Sequence, residues 1–470
     1  MKVLLCSSEI VPFAKTGGLA DVAGALPFAL ENIGIEVILA MPKYKSIDEA
    51  KFGLKKLNKD IYTAKIGKGI TVYFIDNKKY FDRDGLYGDK DGDYPDNLER
   101  FAYFSHRVLD LLPQIDFKAD CLHCNDWQSA LIPVYLKTIY KEKSFYKNMG
   151  TMLTVHNLAY QGLFSKSEFP KLGLDWNVFT MDGLEFYDKV NFLKGGIAFC
   201  DIVTTVSRAY AQEIQTKEFG CGLEGLLNKR RDVLYGVING LDCGAWDPSE
   251  DKLIFKPYSS GNWEDKYFNK TALQKECGLQ VDPNIPLLGF VGRLAEQKGL
   301  DIFAAAIDEI TKLNLQLVFL GTGDMKYHLL LQGVAKKLPC TLSLSLKFDN
   351  SLAHKIYAAS DIFLMPSRYE PCGLGQMISL KYATIPLVFK TGGLADTIED
   401  YDPLTDKGNG FVFDCYSKSA LVKEIKTALY FYQQKNIWNK LMDRAVKYNF
   451  SWDESAKKYR DLYKKCKPSA

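Results

Sequence analysis

Short runs of wholly apolar, β-prone residues alternate with longer stretches of helical periodicity along this chain. No other feature narrows the possible folds as much. In the first half the runs include Val3 to Cys6, Val37 to Ala40, Met152 to Val155 and Ile202 to Val206. In the second half they include Leu287 to Val291, Leu317 to Leu320, Ile362 to Met365 and Leu387 to Phe389. Runs that are apolar at every position, not every second one, suit parallel strands covered by helices on both faces. The chain should therefore be α/β, built of doubly wound sheets. Thr341 to Leu346 alternates Thr or Ser with Leu, which predicts a strand with one wetter face. At 470 residues the chain exceeds what a single core usually serves, so two domains are expected. The turn-forming segment Asn239-Gly240-Leu241-Asp242-Cys243-Gly244, with Pro248 beyond it, divides them into residues 1–240 and 241–450. Residues 451–470 form a tail. Ser451-Trp452-Asp453-Glu454 reads as a capping box, and Trp452, Ala456, Tyr459 and Tyr463 share one helical face. This helix should pack back toward the N-terminal domain.

Charge and thiols exclude several classes. The 60 basic and 57 acidic residues are interspersed, without the clustered positive field of a nucleic-acid reader. No apolar stretch approaches the roughly 20 residues of a membrane helix. The start, Met1 to Cys6, is too short for a signal segment because Glu9 and Pro12 follow. Eleven cysteines, an odd number scattered over a long chain, argue against a disulfide scaffold and for reduced thiols in the cytoplasm.

The segment Lys15-Thr16-Gly17-Gly18-Leu19-Ala20-Asp21 recurs letter for letter at residues 390–396. Each copy follows an apolar run and precedes a helical pattern, which places it at the strand edge where open α/β sheets bind ligands. Paired glycines admit a ligand to the backbone, N–H groups at a helix start can hold phosphate oxygens, and Lys15 adds a mobile cation. Arg293 and Lys298 occupy the corresponding loop after Leu287 to Val291, and two cations there suit a diphosphate leaving group. Glu370, after Ile362 to Met365, could accept hydrogen bonds from sugar hydroxyls, with the Gly-rich helix start nearby for phosphate. His156 ends another strand among polar and aromatic neighbours. Two segments mislead. Cys121-Leu122-His123-Cys124 has no second pair to complete a metal site, and Gly321-Thr322-Gly323-Asp324 lacks the third glycine of a dinucleotide loop.

Taken in order, these segments resemble the bacterial glycogen synthase and plant starch synthase family. The matching signatures are Lys15 to Val22, His156-Asn157-Leu158-Ala159-Tyr160-Gln161-Gly162, Gly236-Val237-Ile238-Asn239-Gly240-Leu241-Asp242 and Glu370-Pro371-Cys372-Gly373-Leu374. The likeness runs from Lys2 to about Trp452. It implies two facing Rossmann-like domains of the GT-B type with a cleft between them. It also implies transfer of glucose from ADP-glucose to the non-reducing end of an α-1,4-glucan, with retention at the anomeric carbon and with no metal or other cofactor.

By the same resemblance, Lys15, Gly17 and Gly18 lie against the donor diphosphate, and Asp21 lies near the transferred sugar. Arg293 and Lys298 neutralise the departing diphosphate. Glu370 holds the glucosyl hydroxyls, helped by the backbone of Cys372, Gly373 and Leu374. His156 and Asn157 lie by the glucose, Asn239 reaches in from the hinge, and Asp126 and Tyr94 match acceptor or sugar positions. Phe348 stands where an aromatic residue, often Tyr, stacks on adenine. Gly375 replaces the usual Thr or Ser, so a hydroxyl contact to phosphate is lost and donor affinity should fall by roughly 1 kcal/mol. Retention could proceed by same-face attack assisted by the departing phosphate or by double displacement. No enzymic nucleophile stands out, which favours the former. A silent glucan-binding protein would be expected to lose some of Lys15, Arg293, Lys298 and Glu370. A nicotinamide-dependent oxidoreductase needs a complete glycine fingerprint, and a glucan phosphorylase needs a pyridoxal-bearing lysine motif; neither is found. The choice of ADP-glucose over UDP-glucose rests on the resemblance alone, and the resemblance covers glycogen-like and starch-like products alike.

Overall fold

The computed structural model describes residues 1–67 and 69–466. The chain divides into one unit of Met1–Gly240 joined by the segment from Trp452, and a second unit of Leu241–Ser451.

In the first unit a nine-stranded sheet runs in the spatial order Leu234–Gly236, Ile202–Thr205, Gly150–Val155, Cys121–Asn125, Lys2–Cys6, Glu36–Pro42, Ile70–Ile75, Ile61–Ile66, Lys55–Lys56. Neighbours are parallel as far as Ile70–Ile75, and the last two strands are antiparallel. Val3, Leu4, Leu5 and Cys6 are all fully buried, as the unbroken apolar run requires of a strand covered on both faces. Strand order reverses between Lys2–Cys6 and Cys121–Asn125, which pair as Val3 with Cys121 and Cys6 with Cys124. The loops leaving these two strands flank the switch point at which open α/β sheets accept ligands.

The second unit has six strands, all parallel, in the order Leu342–Ser345, Gln316–Leu320, Leu287–Val291, Ile362–Met365, Ile385–Phe389, Phe411–Phe413. Its switch point lies between Leu287–Val291 and Ile362–Met365. Leu342–Ser345 is an edge strand with only Leu342 buried, which accounts for its alternating sequence.

The C-terminal helix Trp452–Tyr463 packs against Gly18–Asn32 and completes the first core with Trp452, Ala456, Tyr459 and Tyr463. Gly240 makes room for it, since a Cβ there would lie 2.5 Å from the Trp452 ring. The expected capping box does not form. The Ser451 N–H donates to Asn449 Oδ1 at 2.9 Å, and Glu454 instead pairs with Lys457 at 2.7 Å. Cys121 to Cys124 make up the first four residues of the central strand Cys121–Asn125. There His123 is locked between Tyr463 Oη (2.8 Å) and Thr154 Oγ1 (2.7 Å), and burial lowers its pKa to about 3. It is a core histidine.

Candidate functional site

In the first unit, the copy at residues 15–21 does not follow its strand directly. Residues 7–14 intervene, and they carry Glu9, which is 3% exposed. The Glu9 carboxylate accepts from the Thr16 N–H, from Thr16 Oγ1 at 2.6 Å, from the Gly17 N–H at 3.2 Å and from Tyr87 Oη at 2.7 Å. The amides of Thr16 and Gly17 are thus already committed, which leaves those of the helix start beyond them as the free donors of this loop. The helix that follows begins at Gly18, and its N-cap, Gly17, is extended (φ −152°) with no side-chain cap. No protein atom lies within 4 Å of where a Cβ would stand on Gly17 or Gly18. An uncapped helix start facing open space beside a lysine has the chemistry to attract an anion. Lys15 Nζ meanwhile rests on Asp21 Oδ1 at 2.7 Å, both side chains being substantially exposed.

Across the switch point stand Asp126 and His156. Asp126 adopts φ +54°, a conformation rarely held by a non-glycine residue without cause, and its Oδ1 accepts the His156 N–H at 2.7 Å. Asn125 commits its amide nitrogen to the Cys6 carbonyl at 3.1 Å, so its oxygen faces His156 Nε2 at 2.9 Å. That arrangement places the proton on Nε2 and leaves Nδ1 as an acceptor. Burial lowers the His156 pKa to about 4 and raises that of Asp126 to about 7. The histidine is thus a neutral hydrogen-bonding group at ordinary pH, and the carboxyl group titrates near neutrality. Asn157 Oδ1 accepts the Ala159 N–H at 3.0 Å and shapes the turn. Asn239 is buried, and its Oδ1 has no hydrogen-bond partner among the described residues. Tyr94 accepts the Gly85 N–H at 3.1 Å, and its ring lies beneath the guanidinium groups of Arg83 and Arg100. These contacts join it to that loop and not to the Asp126–His156 pair.

In the second unit, the loops on either side of the switch point are bridged by Lys298 Nζ and Glu370 Oε2 at 2.5 Å, with Ser367 Oγ also donating to Glu370 at 3.2 Å. Arg293 is exposed, and its Nη2 donates to Gln297 Oε1 at 2.8 Å. Gly299, at φ +78°, lets the Lys298 turn pass 2.0 Å (measured to a built Cβ) from the Pro366 carbonyl. Gln376 Nε2 ties the next stretch by donating to the Cys372 and Gly373 carbonyls, each at 3.0 Å. Cys372 is buried, and Gly373 adopts φ +72°. Leu374 occupies the N-cap position of the helix that begins at Gly375, without a side-chain cap. A Cβ on Gly375 would come 2.9 Å from the Phe363 ring and 3.2 Å from Tyr357 Oη, so neighbouring aromatics fill the space a larger residue would need. Phe348 is 92% exposed on the loop after the edge strand. Among the described residues no group of three His, Cys, Asp or Glu side chains is placed to hold a metal ion, and no helix is long and apolar enough to cross a membrane.

The structure therefore brings Lys15, Gly17, Gly18 and Asp21 together, Asp126 with His156, and Lys298 with Glu370. Reasoning from sequence passed over Glu9, Ser367 and Tyr87. Glu9 had a visible signal: a lone carboxylate between an apolar strand and a glycine pair.

Comparison with known proteins agrees with this geometry. Residues 2–229 match the family model described as starch synthase catalytic domain, and residues 274–441 match glycosyl transferases group 1. Glycogen synthase from Geotalea uraniireducens is 47% identical over 476 residues, covering 99% of this chain and 98% of that one. The Thermosipho melanesiensis glycogen synthase is 48% identical, covering 99% of each chain. Among solved structures, the catalytic domain of starch synthase IV from Arabidopsis thaliana, bound to ADP and acarbose, superposes with a TM-score of 0.88 at 34% identity, covering 99% of each chain. With two Rossmann-like units, a switch-point site in each and full-length likeness to these enzymes, the chain belongs to the glycogen synthase family of glycosyltransferases.

Proposed function

We propose that this enzyme transfers glucose from ADP-glucose to the non-reducing end of an α-1,4-glucan, with retention of configuration and without a metal ion. The observation that carries the reading is the Lys298–Glu370 pair, which puts a cation and a sugar-binding carboxylate side by side at one switch point. A diphosphate arriving there would be met by Lys298 and the exposed Arg293. Glu370 would exchange part of its contact with Lys298 for hydrogen bonds from glucosyl hydroxyls. The starch synthase that matches so closely is bound to ADP, which supports the choice of nucleotide. That protein's acarbose supports an oligosaccharide acceptor.

As the bond from the anomeric carbon to the phosphate oxygen breaks, negative charge grows on the diphosphate. Fixed cations stabilise that charge more than they stabilise the ground state. The uncapped helix start at Gly18, with Lys15 beside it, offers the first unit's positive pole to anionic groups. In same-face attack the acceptor hydroxyl gives its proton to the departing phosphate oxygen while its own oxygen bonds to the anomeric carbon. No protein nucleophile is consumed. His156, neutral with its proton fixed on Nε2, suits binding of sugar hydroxyls through Nδ1. All eleven cysteines are free thiols, which fits our placement of the reaction in the reducing cytoplasm.

The test is to incubate the purified chain with glycogen and either ADP-glucose or UDP-glucose, measuring released nucleotide and labelled glucan. ADP release matched by glucan growth, undiminished by a metal chelator, is the expected result. Transfer from UDP-glucose alone, or ADP release without glucan growth, overturns the reading.

A further inference from the structure

Residues 186–189 form a tight hairpin turn between the short strands Glu185–Phe186 and Lys189–Asn191. Both central residues, Tyr187 (φ +47°) and Asp188 (φ +60°), hold left-handed backbone, which aspartate tolerates in such turns but a bulky aromatic residue rarely adopts. Glycine would make the same turn with less strain. The chain instead places a tyrosine at the tip, 79% exposed, where it fills no core.

The platform beneath it is rigid. The Asp188 N–H donates to Glu185 Oε1 at 2.8 Å, and the Asp188 carboxylate pairs with Lys166 at 2.8 Å. The Phe186 ring meets the Tyr187 ring edge-on, with centroids 4.7 Å apart. Gly222 lets the Phe186 ring close over it, since a Cβ there would lie 2.8 Å from that ring, and the Tyr187 ring stands at ordinary contact distance beside it, 3.6 Å from the same point. Lys194 Nζ donates to the carbonyls of Met181, Gly183 and Glu185, so a single ammonium staples the approach to the hairpin.

The hairpin also continues into the loop that carries His156. Asn191 Nδ2 donates to Gln161 Oε1 at 2.6 Å, the Phe192 N–H to the Gly162 carbonyl at 3.1 Å, and the Leu193 N–H to the Gln161 carbonyl at 3.0 Å. Gln161 Nε2 in turn donates to the Cys221 carbonyl at 3.1 Å, next to Gly222. An exposed ring held by strained backbone and tied to the sugar-binding loop on two sides is built to meet something outside the protein.

We infer that Tyr187 is an acceptor-positioning residue. Its ring stacks on the apolar C–H face of a glucose unit of the growing glucan while its hydroxyl reaches the polymer's hydroxyls. The inference rests on the glucan-lengthening activity proposed above. An uncharged polymer suits the tip, because an aromatic face gives contact area with little loss of side-chain freedom.

The experiment compares Tyr187→Ala, Tyr187→Phe and Tyr187→Trp in the full chain, using maltoheptaose and glycogen as acceptors. The alanine variant should raise the acceptor KM about tenfold while kcat and the ADP-glucose KM stay within about twofold, as expected for loss of a binding contact shared by ground and transition states. Phe and Trp should restore most of the loss. An unchanged acceptor KM in the alanine variant, or a phenylalanine variant no better than alanine, overturns the inference. Calorimetric titration with maltoheptaose alone separates this inference from the activity. If the wild type transfers no glucose the proposed function fails, whereas Tyr187 is decided by whether maltoheptaose binding weakens in the alanine variant. Absence of maltoheptaose binding by the wild type also overturns it. Should Tyr187→Ala melt early, Tyr187→Asn, whose side chain tolerates left-handed backbone, takes its place.

Discussion

At residues 15–21 the sequence Lys-Thr-Gly-Gly-Leu-Ala-Asp leaves both glycines with no protein atom within 4 Å of a built Cβ. At residues 390–396 the same letters press their glycines against backbone: a Cβ on Gly392 would lie 2.1 Å from the Glu370 carbonyl, and one on Gly393 1.9 Å from that of Cys372. The backbone differs too. Gly17 is extended and precedes a helix beginning at Gly18, whereas Gly392 turns to φ +44° and itself begins the helix Gly392–Thr397. The second copy follows its strand directly, with only Lys390 and Thr391 between strand and helix, while the first is held away from its strand by the loop carrying Glu9. The glycines are small for opposite reasons. In the first unit they leave the space beside the helix start open, and in the second they make room for the loop that carries Glu370. Identical local sequence leaves the role to whichever neighbour the fold brings up.

This contrast can be broken most directly at the lysines. Lys15→Ala should lower kcat about a hundredfold or more, the scale of losing one transition-state charge contact. Lys390→Ala should stay within about twofold; equal losses in steady-state assays would show that the copies share a role. Next in size are the glycines. Gly393→Ala has to displace backbone and should lose about 2–4 kcal/mol of stability, whereas Gly18→Ala should stay within about 0.5 kcal/mol and show itself in donor KM. Urea unfolding of both variants checks this. Glu9→Gln comes third. Removing the charge from the carboxylate that gathers Thr16 and Gly17 should raise the ADP-glucose KM about tenfold, in keeping with a hydrogen bond to a charged group.

Smallest is the pH response of the Asp126–His156 pair. Between pH 3.8 and about 7 native Asp126 holds a proton that the unfolded chain has lost, so its contribution to stability declines as pH rises. His156 acts in the opposite sense, because below pH 6.5 the unfolded chain takes up a proton that the native ring refuses until about pH 4. Asp126→Asn should therefore flatten the fall in stability toward neutrality and remove an inflection near pH 7 from the kcat/KM profile. Persistence of that inflection in the variant would assign it to another group.

Much of the architecture was legible because buried parallel strands must be apolar at every position, and Val3 to Cys6 or Leu287 to Val291 can hardly be read otherwise. The Lys298–Glu370 pairing was legible only as two separate loops. Their meeting depends on strand order, which no local pattern encodes. Glu9 was visible as a lone carboxylate but its role was not, since it becomes a loop organiser only once the chain folds back to deliver Thr16 and Tyr87. The failed capping box is a smaller case, in which Asn449 reaches the Ser451 amide from the preceding turn.

The helix Trp452–Tyr463 belongs to the first unit although the whole of the second unit precedes it in the chain. As the polypeptide leaves the ribosome, residues 1–240 must wait for more than two hundred further residues before Trp452, Tyr459 and Tyr463 can close their core. Leu241 and Phe450 hold the ends of the second unit together through one N–H to carbonyl bond of 2.6 Å, so that unit can fold as a self-contained insertion in the interval. The core of the first unit is thereby completed only after the second unit has been made, because the helix Gly18–Asn32 acquires its packing partner from beyond residue 451.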